Sequence, residues 1–372
     1  AHHTAAFMAA TLSSELDNTD QLRVFYEDTL ANGVKVLGPD INLSRYRFEP
    51  VSGKEIRYGL GAIKGTGESA INAILKVRED GAFQSLFDFC NRVDKRVVNR
   101  RTIESLIRGG AFDSIGDHRA SLLASVGMAM EAAEQSSRNA SQCSLFAGDE
   151  PGGHSFELIK VPRWPEPEQL QQEKSSLGFY FSGHPFTAYR EELSRFVRTK
   201  LCDLSPQAQP VLMAGVVYAI RTQLTRRGKM AIVSLDDGSC TLEVTVFNEL
   251  YEANRKLLVE DRVLIVEGKI SKDNYSGGQR VTAEKLYDLA GARSQFAQSL
   301  QLSINGQADS ERLRGLLSPY RQGGCPVKIT YQNGSSSCEM TLGDAWKIQP
   351  HDDLLQALAE WLTPGKVNLV YR

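Results

Sequence analysis

The residues best suited to chemistry in this chain lie in Leu60-Gly61-Ala62-Ile63-Lys64-Gly65-Thr66-Gly67-Glu68-Ser69-Ala70. The chemistry they offer is anion binding. Gly65 and Gly67 bracket Thr66, and the run after them places Ala70, Ile71, Ile74 and Leu75 at helical spacing from Ser69 to Val77. A glycine turn leaves backbone N–H groups open at a helix N-terminus, where the helix dipole favours negative charge. Glycine reaches positive φ there and keeps a Cβ out of the path of a phosphate. No Lys-Ser/Thr pair follows the last glycine, so the pattern is not a nucleotide P-loop. It reads as a helix-hairpin-helix gripping the sugar-phosphate backbone of DNA, with Gly61, Lys64, Gly65, Thr66 and Gly67 at the contact. The competing reading is a C-cap glycine followed by a tight turn.

A second glycine turn, degenerate in sequence, follows a helical run at Ile103-Glu104-Ser105-Leu106-Ile107-Arg108-Gly109-Gly110-Ala111-Phe112, and a further helix is expected from His118 to Glu134. Two such hairpins side by side reach both strands of a duplex. Basic residues cluster beside them: Arg92, Lys95, Arg96, Arg100, Arg101 and Arg108 face only Asp94 and Glu104. Such a run tracks phosphates, each contact steepening the salt dependence of binding; the alternative is a solvated helix face.

Groups for catalysis are not assembled. Phosphoryl transfer on metal pairs needs converging carboxylates. Asp236-Asp237 reads instead as a hairpin turn and Asp352-Asp353 as a helix start, where either aspartate would cap. The six histidines lack ligand spacing, and His184 reads as a packing or capping residue before Pro185. The six cysteines form no CxxC pattern, which argues for a reducing compartment and against zinc or a disulfide framework. With 43 Lys+Arg against 45 Asp+Glu, the formal net charge is −2, so nucleic-acid binding has to use local patches. No apolar run is long enough to span a membrane, and Ala1-His2-His3-Thr4 is not a signal peptide. The abrupt helical start suggests a fragment of a longer protein.

These residues are positioned by an expected series of elements. Helical patterns cover Ala5 to Leu16 and Gln21 to Ala31, with a short strand at Val34 to Leu37. Residues 136–176 are rich in Ser, Gly and Pro and read as a linker. Within it Gln142-Cys143-Ser144-Leu145-Phe146 offers an apolar pair to a partner's pocket. From Val211 to Leu289 three strands, a helix and two strands follow the order of an OB-fold barrel. Arg221, Arg226, Arg227 and Lys229 fall in its first hairpin loop; Lys269, Lys272, Tyr275 and Arg280 surround its last. Those loops flank the face that binds single strands, and Tyr275 offers a ring for base stacking. A barrel used as a protein contact or spacer is the alternative. The tail reads β-α-β-β-α-β, a small two-layer α+β domain.

Five segments in order resemble the bacterial C-family replicative polymerases, the DNA polymerase III alpha subunits: Phe7-Met8-Ala9-Ala10, Gly38-Pro39-Asp40-Ile41-Asn42, Gly59 to Gly67, Gly109-Gly110-Ala111-Phe112-Asp113, and Leu177 to Pro185. The resemblance covers essentially the whole chain. It implies a multidomain fold: the end of a fingers domain (1–51), a tandem helix-hairpin-helix domain (52–135), a linker (136–176), a connecting segment (177–210), an OB domain (211–289) and a domain that binds the tau subunit of the clamp loader (298–372). It further implies that Gln142, Leu145 and Phe146 contact the sliding clamp, and that the other polymerase III core subunits are partners in the cytoplasm. The family's catalytic aspartates and their Mg2+ belong to a palm upstream of residue 1, so no catalytic or metal residue and no cofactor is assigned here. A stand-alone repair adaptor pairing hairpins with an OB barrel is the alternative, and an RNA-binding accessory domain a third.

Overall fold

The computed structural model describes residues 3–141, 157–225, 228–272, 279–305, 309–334, 336–362 and 364–371. The chain divides into two units, Ala1–His184 and Pro185–Arg372, each with its own interior.

The first unit begins with α1 (Thr4–Ser14) and α2 (Thr19–Ala31). Asn18 starts α2 by accepting a hydrogen bond from the Gln21 amide, a side-chain cap on an otherwise open helix end. A three-stranded sheet follows, β1 (Lys35–Leu37), β2 (Glu49–Ser52) and β3 (Glu55–Arg57), in the order β1-β3-β2. The sequence reading anticipated β1 alone. β2 and β3 are short and broken by Pro50 and Gly53, which masks their alternation. The division expected after residue 51 falls inside β2, so the segments on either side share a sheet and one hydrophobic core.

After the sheet come a single 3-10 turn at Leu60–Ala62 and helices α3 (Glu68–Arg78), α4 (Leu86–Arg92), α5 (Arg100–Arg108), α6 (Arg119–Ser141) and α7 (Glu166–Leu177). α5 shows why these residues are helical. Asn99 caps it through the Thr102 amide, and Ile103, Leu106 and Ile107 repeat on one buried face. α6 runs past the expected end at Glu134. The core joins Phe83, Phe89 and Phe112 edge to face, with centroids 4.9 and 5.0 Å apart. It also takes in Leu177 and Phe179, so the start of the expected connecting segment is part of this unit.

The second unit opens with α8 (Thr187–Leu193) and a 3-10 turn at Leu201–Asp203. Strands β4 (Val211–Thr225), β5 (Gly228–Asp236), β6 (Thr241–Val246), β7 (Val263–Lys272) and β8 (Gln279–Tyr287) close into a barrel in the order β4-β5-β6-β8-β7. α9 (Asn248–Asn254) sits between β6 and β7. The parallel pair Val244↔Val281 joins β6 to β8. This is the OB-fold expected from the order of elements. Then α10 (Leu289–Phe296) leads to a mixed sheet of β9 (Ala297–Asn305), β11 (Val327–Asn333), β12 (Ser336–Thr341) and β13 (Val367–Tyr371), ordered β12-β11-β9-β13. α11 (Ser310–Leu317), a short β10 (Arg321–Cys325) and α12 (Asp352–Leu362) complete the α+β tail. β10 was not anticipated; it holds two consecutive glycines and, among the described residues, bridges to Ile348.

Candidate nucleic-acid interface

The two glycine turns of the first unit pack into one core. A Cβ at Gly109 would lie 3.2 Å from Leu177 Cδ2 and 3.5 Å from Ile63 Cδ1, so the second turn rests on the residue that enters the first. Gly65 adopts φ +80° and Gly110 φ +87°, left-handed backbone that other residues enter only with strain. The Gly65 carbonyl accepts from Thr102 Oγ1 at 3.4 Å, which sets the first turn against the N-terminal end of α5, where Arg100 and Arg101 lie.

The structure separates the residues of the first turn by role. Gly61 is required for packing: a Cβ there would sit 2.5 Å from the Tyr46 ring. Thr66 is buried, and its hydroxyl donates to Leu60 O and Ile63 O at 2.9 and 2.6 Å, so it holds the turn rather than facing a ligand. Two turn amides are also consumed internally, Lys64 N by Ser176 O at 2.7 Å and Thr66 N by Ile63 O at 3.2 Å. Those two N–H groups are therefore not open to an anion. What remains at the surface is the Lys64 side chain, Gly65, Gly67 at the start of α3, and Glu68 and Ser69 in its first turn. Gly67 has φ −71°, and a Cβ on it would meet only Ser69 Oγ at 3.9 Å. No side chain caps α3.

The basic cluster divides in the same way. Arg92 is structural: its guanidinium donates to Val77 O, Gly81 O and Ala82 O, pairs with Asp88 and stacks over Phe83. Lys95 Nζ reaches Met130 O at 3.4 Å. Arg100 and Arg108 share Glu104, at 2.8 and 3.3 Å. Arg96 and Arg101 are exposed and have no carboxylate partner among the described residues. The sequence assigns Arg96, Arg100 and Arg101 to DNA, but spacing does not reveal which backbone carbonyls or carboxylates each guanidinium will meet.

A buried ion pair missed by sequence reasoning braces the second turn. Arg119 Nη1 donates to Glu173 Oε1 at 2.7 Å, and its other nitrogens hold Asp113. Glu173 also accepts the Phe181 and Ser182 amides at 3.1 and 2.9 Å. Burial works against the Arg119 charge, but the hydrogen bonds and attraction of Asp113 and Glu173 prevail and raise its pKa.

On the barrel, Arg226, Arg227 and Tyr275 lie outside the described residues, as do Gln142, Leu145 and Phe146 of the linker. Lys229 is half-buried above the Tyr251 ring, Arg221 is paired with Glu243, and Lys269 with Glu284 at 2.6 Å. Lys272 and Arg280 are exposed. Leu224, 87% exposed near the end of β4, stands out beside the first loop. Three of the paired aspartates are spent on the fold. Asp237 accepts the Leu201, Ser239 and Cys240 amides, Asp236 accepts Gly238 N, and Asp352 begins α12 and pairs with Arg293 at 2.6 Å. His184 packs edge-on against Tyr180. Among the described residues no group of three His, Cys, Asp or Glu is placed to hold a metal ion, and no helix is long and apolar enough to cross a membrane.

Three families match successive parts of the chain: "Helix-hairpin-helix motif" over residues 33–122, "OB-fold nucleic acid binding domain" over 211–289, and "DNA polymerase III subunit alpha, C-terminal domain" over 312–362. DNA polymerase III subunit alpha of Neisseria meningitidis serogroup B is 45% identical over 99% of the chain. The chain is homologous to the C-terminal part of DNA polymerase III alpha subunits. The Vibrio cholerae and Escherichia coli K12 alpha subunits are each 38% identical over the whole chain. The chain spans 33% of the length of these alpha subunits. Among solved structures, the second OB-fold domain of replication protein A from Methanococcus maripaludis aligns with 24% of the chain at 18% identity and a TM-score of 0.21, covering 93% of that domain. An asparaginyl-tRNA synthetase from Pyrococcus horikoshii aligns with 24% of the chain at 23% identity and a TM-score of 0.20, over 22% of its own length.

Proposed function

We propose that this chain is the DNA-holding tail of a replicative DNA polymerase, gripping duplex backbone at its tandem glycine turns and single strands at its barrel. The observation that carries this reading is Gly67. Its backbone is ordinary and the space around it is open, so the fold itself does not demand glycine there. A phosphate approaching the uncapped start of α3 does, because any side chain would stand in its way. Lys64, Arg96 and Arg101 add exposed positive charge, which favours phosphate without reading bases. On the barrel the same reading assigns single-strand contact to Arg226, Arg227, Lys229, Lys272 and Tyr275.

Homology to the alpha subunit supports the further parts of the reading. Gln142, Leu145 and Phe146 engage the sliding clamp, the tail domain engages the tau subunit, and the chain works in the cytoplasm with the other polymerase III core subunits. Nucleotide incorporation and its Mg2+ belong to a palm outside this chain. Asp236 and Asp237 do not fit that metal, since their carboxylates are committed to backbone amides.

Gly67→Asp tests the grip. An aspartate N-cap is compatible with α3 and costs no stability, but its charge faces the incoming phosphate. The variant is expected to melt at or above the wild-type temperature and to lose about tenfold or more in affinity for a fluorescent duplex. Unchanged duplex affinity overturns the assignment, and incorporation of a nucleotide by the isolated chain overturns the non-catalytic reading.

A further inference from the structure

At the end of the barrel away from its first loop, the second unit holds a cavity of about 240 Å³. Its floor is apolar: Phe186 and Leu193 of the α8 region, Val197, and Ala214 on β4. Its rim is cationic, with Arg190, Arg198 and Lys200 all exposed. Arg190 is steered by donating Nη2 to the Asp237 carbonyl at 3.0 Å. Arg198 and Lys200 have no carboxylate partner among the described residues. The lining also includes Asp237, whose carboxylate is taken up by the Leu201, Ser239 and Cys240 amides and the Ser239 hydroxyl.

We propose that this cavity is a docking site for an acidic peptide segment that inserts one large apolar side chain between Arg190, Arg198 and Lys200. Charge complementarity supplies the argument for the flanking acids, since three cations surround an apolar hole on a chain of net charge −2. Size supplies the argument for a single anchor. Pockets for drug-sized ligands run to about 300–1,000 Å³, and this one is smaller. Such an anchor on an apolar pocket floor is the usual centre of a peptide interface. Single-stranded nucleic acid fits less well. A base stacks on an exposed aromatic face, whereas Phe186 in the floor is buried. The described residues that line this cavity lie between Phe186 and Lys200 or are Ala214 and Asp237, away from the end of β4 and the end of β7 that flank an OB-fold's nucleic-acid face.

The test uses the full chain and three fluorescein-labelled probes: the peptide Ser-Asp-Glu-Asp-Phe-Glu-Gly-Ser, the same peptide with Ser for Phe, and an eight-nucleotide oligo-dT. The Phe peptide is expected to bind, the Ser peptide about tenfold or more weakly, and the Arg198→Glu/Lys200→Glu double variant to lose about tenfold for the Phe peptide. Both substitutions are at exposed positions, so folding is retained and checked by the melting temperature. Val197→Asp, which places a charge in the floor, is a second variant expected to give the same loss. Absence of peptide binding overturns the proposal, as does peptide affinity unchanged in the double variant. Loss of oligo-dT binding in the double variant, without peptide binding to the wild type, overturns it in favour of a nucleic-acid path.

Discussion

Arg119 Nη1 and Glu173 Oε1 meet at 2.7 Å with the glutamate side chain fully buried, and this pair joins α6 to α7 directly behind the second glycine turn. Removing Arg119 leaves the Glu173 carboxylate buried without a counter-charge. Arg119→Ala is therefore expected to destabilise the first unit by about 3–5 kcal/mol, the range for breaking a buried ion pair. Urea unfolding followed by a probe in that unit measures it. A loss below about 1 kcal/mol, the scale of an exposed pair, shows that the pair is solvated.

Arg96 and Arg101 separate from their neighbours in that neither side chain has a hydrogen bond or ion pair among the described residues. Arg96→Ala and Arg101→Ala are each expected to reduce the slope of log affinity against log salt by about one for duplex DNA. Their melting temperatures stay at the wild-type value. Arg92→Ala is expected to do the reverse, lowering stability through three lost carbonyl contacts while barely moving the slope. The titration of duplex affinity across salt concentrations distinguishes the two patterns.

In the second unit, Glu192 receives Arg293 at 2.6 and 2.7 Å and the Tyr371 hydroxyl. Burial favours its neutral form, but the hydrogen bonds and charge of Arg293 outweigh burial and lower its pKa below the ordinary 4.5. A carboxylate more acidic when folded binds fewer protons in the folded state. Its stabilisation is thus complete above about pH 4.5 and disappears as pH falls through the lower, folded value. Melting of the wild type is expected to weaken on acidification in that window, and Glu192→Gln to show a flatter profile there. Parallel profiles for the two proteins count against the linkage.

For the linker, Leu145→Ala combined with Phe146→Ala is expected to abolish capture of the chain on immobilised sliding clamp while duplex affinity stays constant. Two apolar anchors in five residues carry most of such a peptide interface. Undiminished capture returns the pair to the role of linker.

Much of the architecture was legible because it depends on local pattern. Alternation and turn residues from Val211 to Leu289 are enough to order an OB barrel, and helical spacing around Gly65 and Gly109 is enough to place two hairpins. The small sheet of β1, β2 and β3 was not legible, since strands of three or four residues carry too little alternation to register. The segment entering the first hairpin is one 3-10 turn, and a Cβ at Gly59 or Gly61 would clash with the backbone or ring of Tyr46.

The sequence by itself determined where backbone could turn tightly and where charge was concentrated, since glycine's φ freedom and a side chain's charge are properties of single residues. Only the tertiary structure decided which of those groups were left for a partner. Thr66 was spent on carbonyls of its own turn, Arg92 on carbonyls of the segment from Val77 to Ala82 and Gly61 on packing against Tyr46, whereas Lys64, Gly67, Arg96 and Arg101 stayed at the surface. The physical reason is that hydrogen-bond satisfaction and close packing are settled between segments far apart in the chain. Arg119 and Glu173, 54 positions apart, form the brace that no local pattern announces.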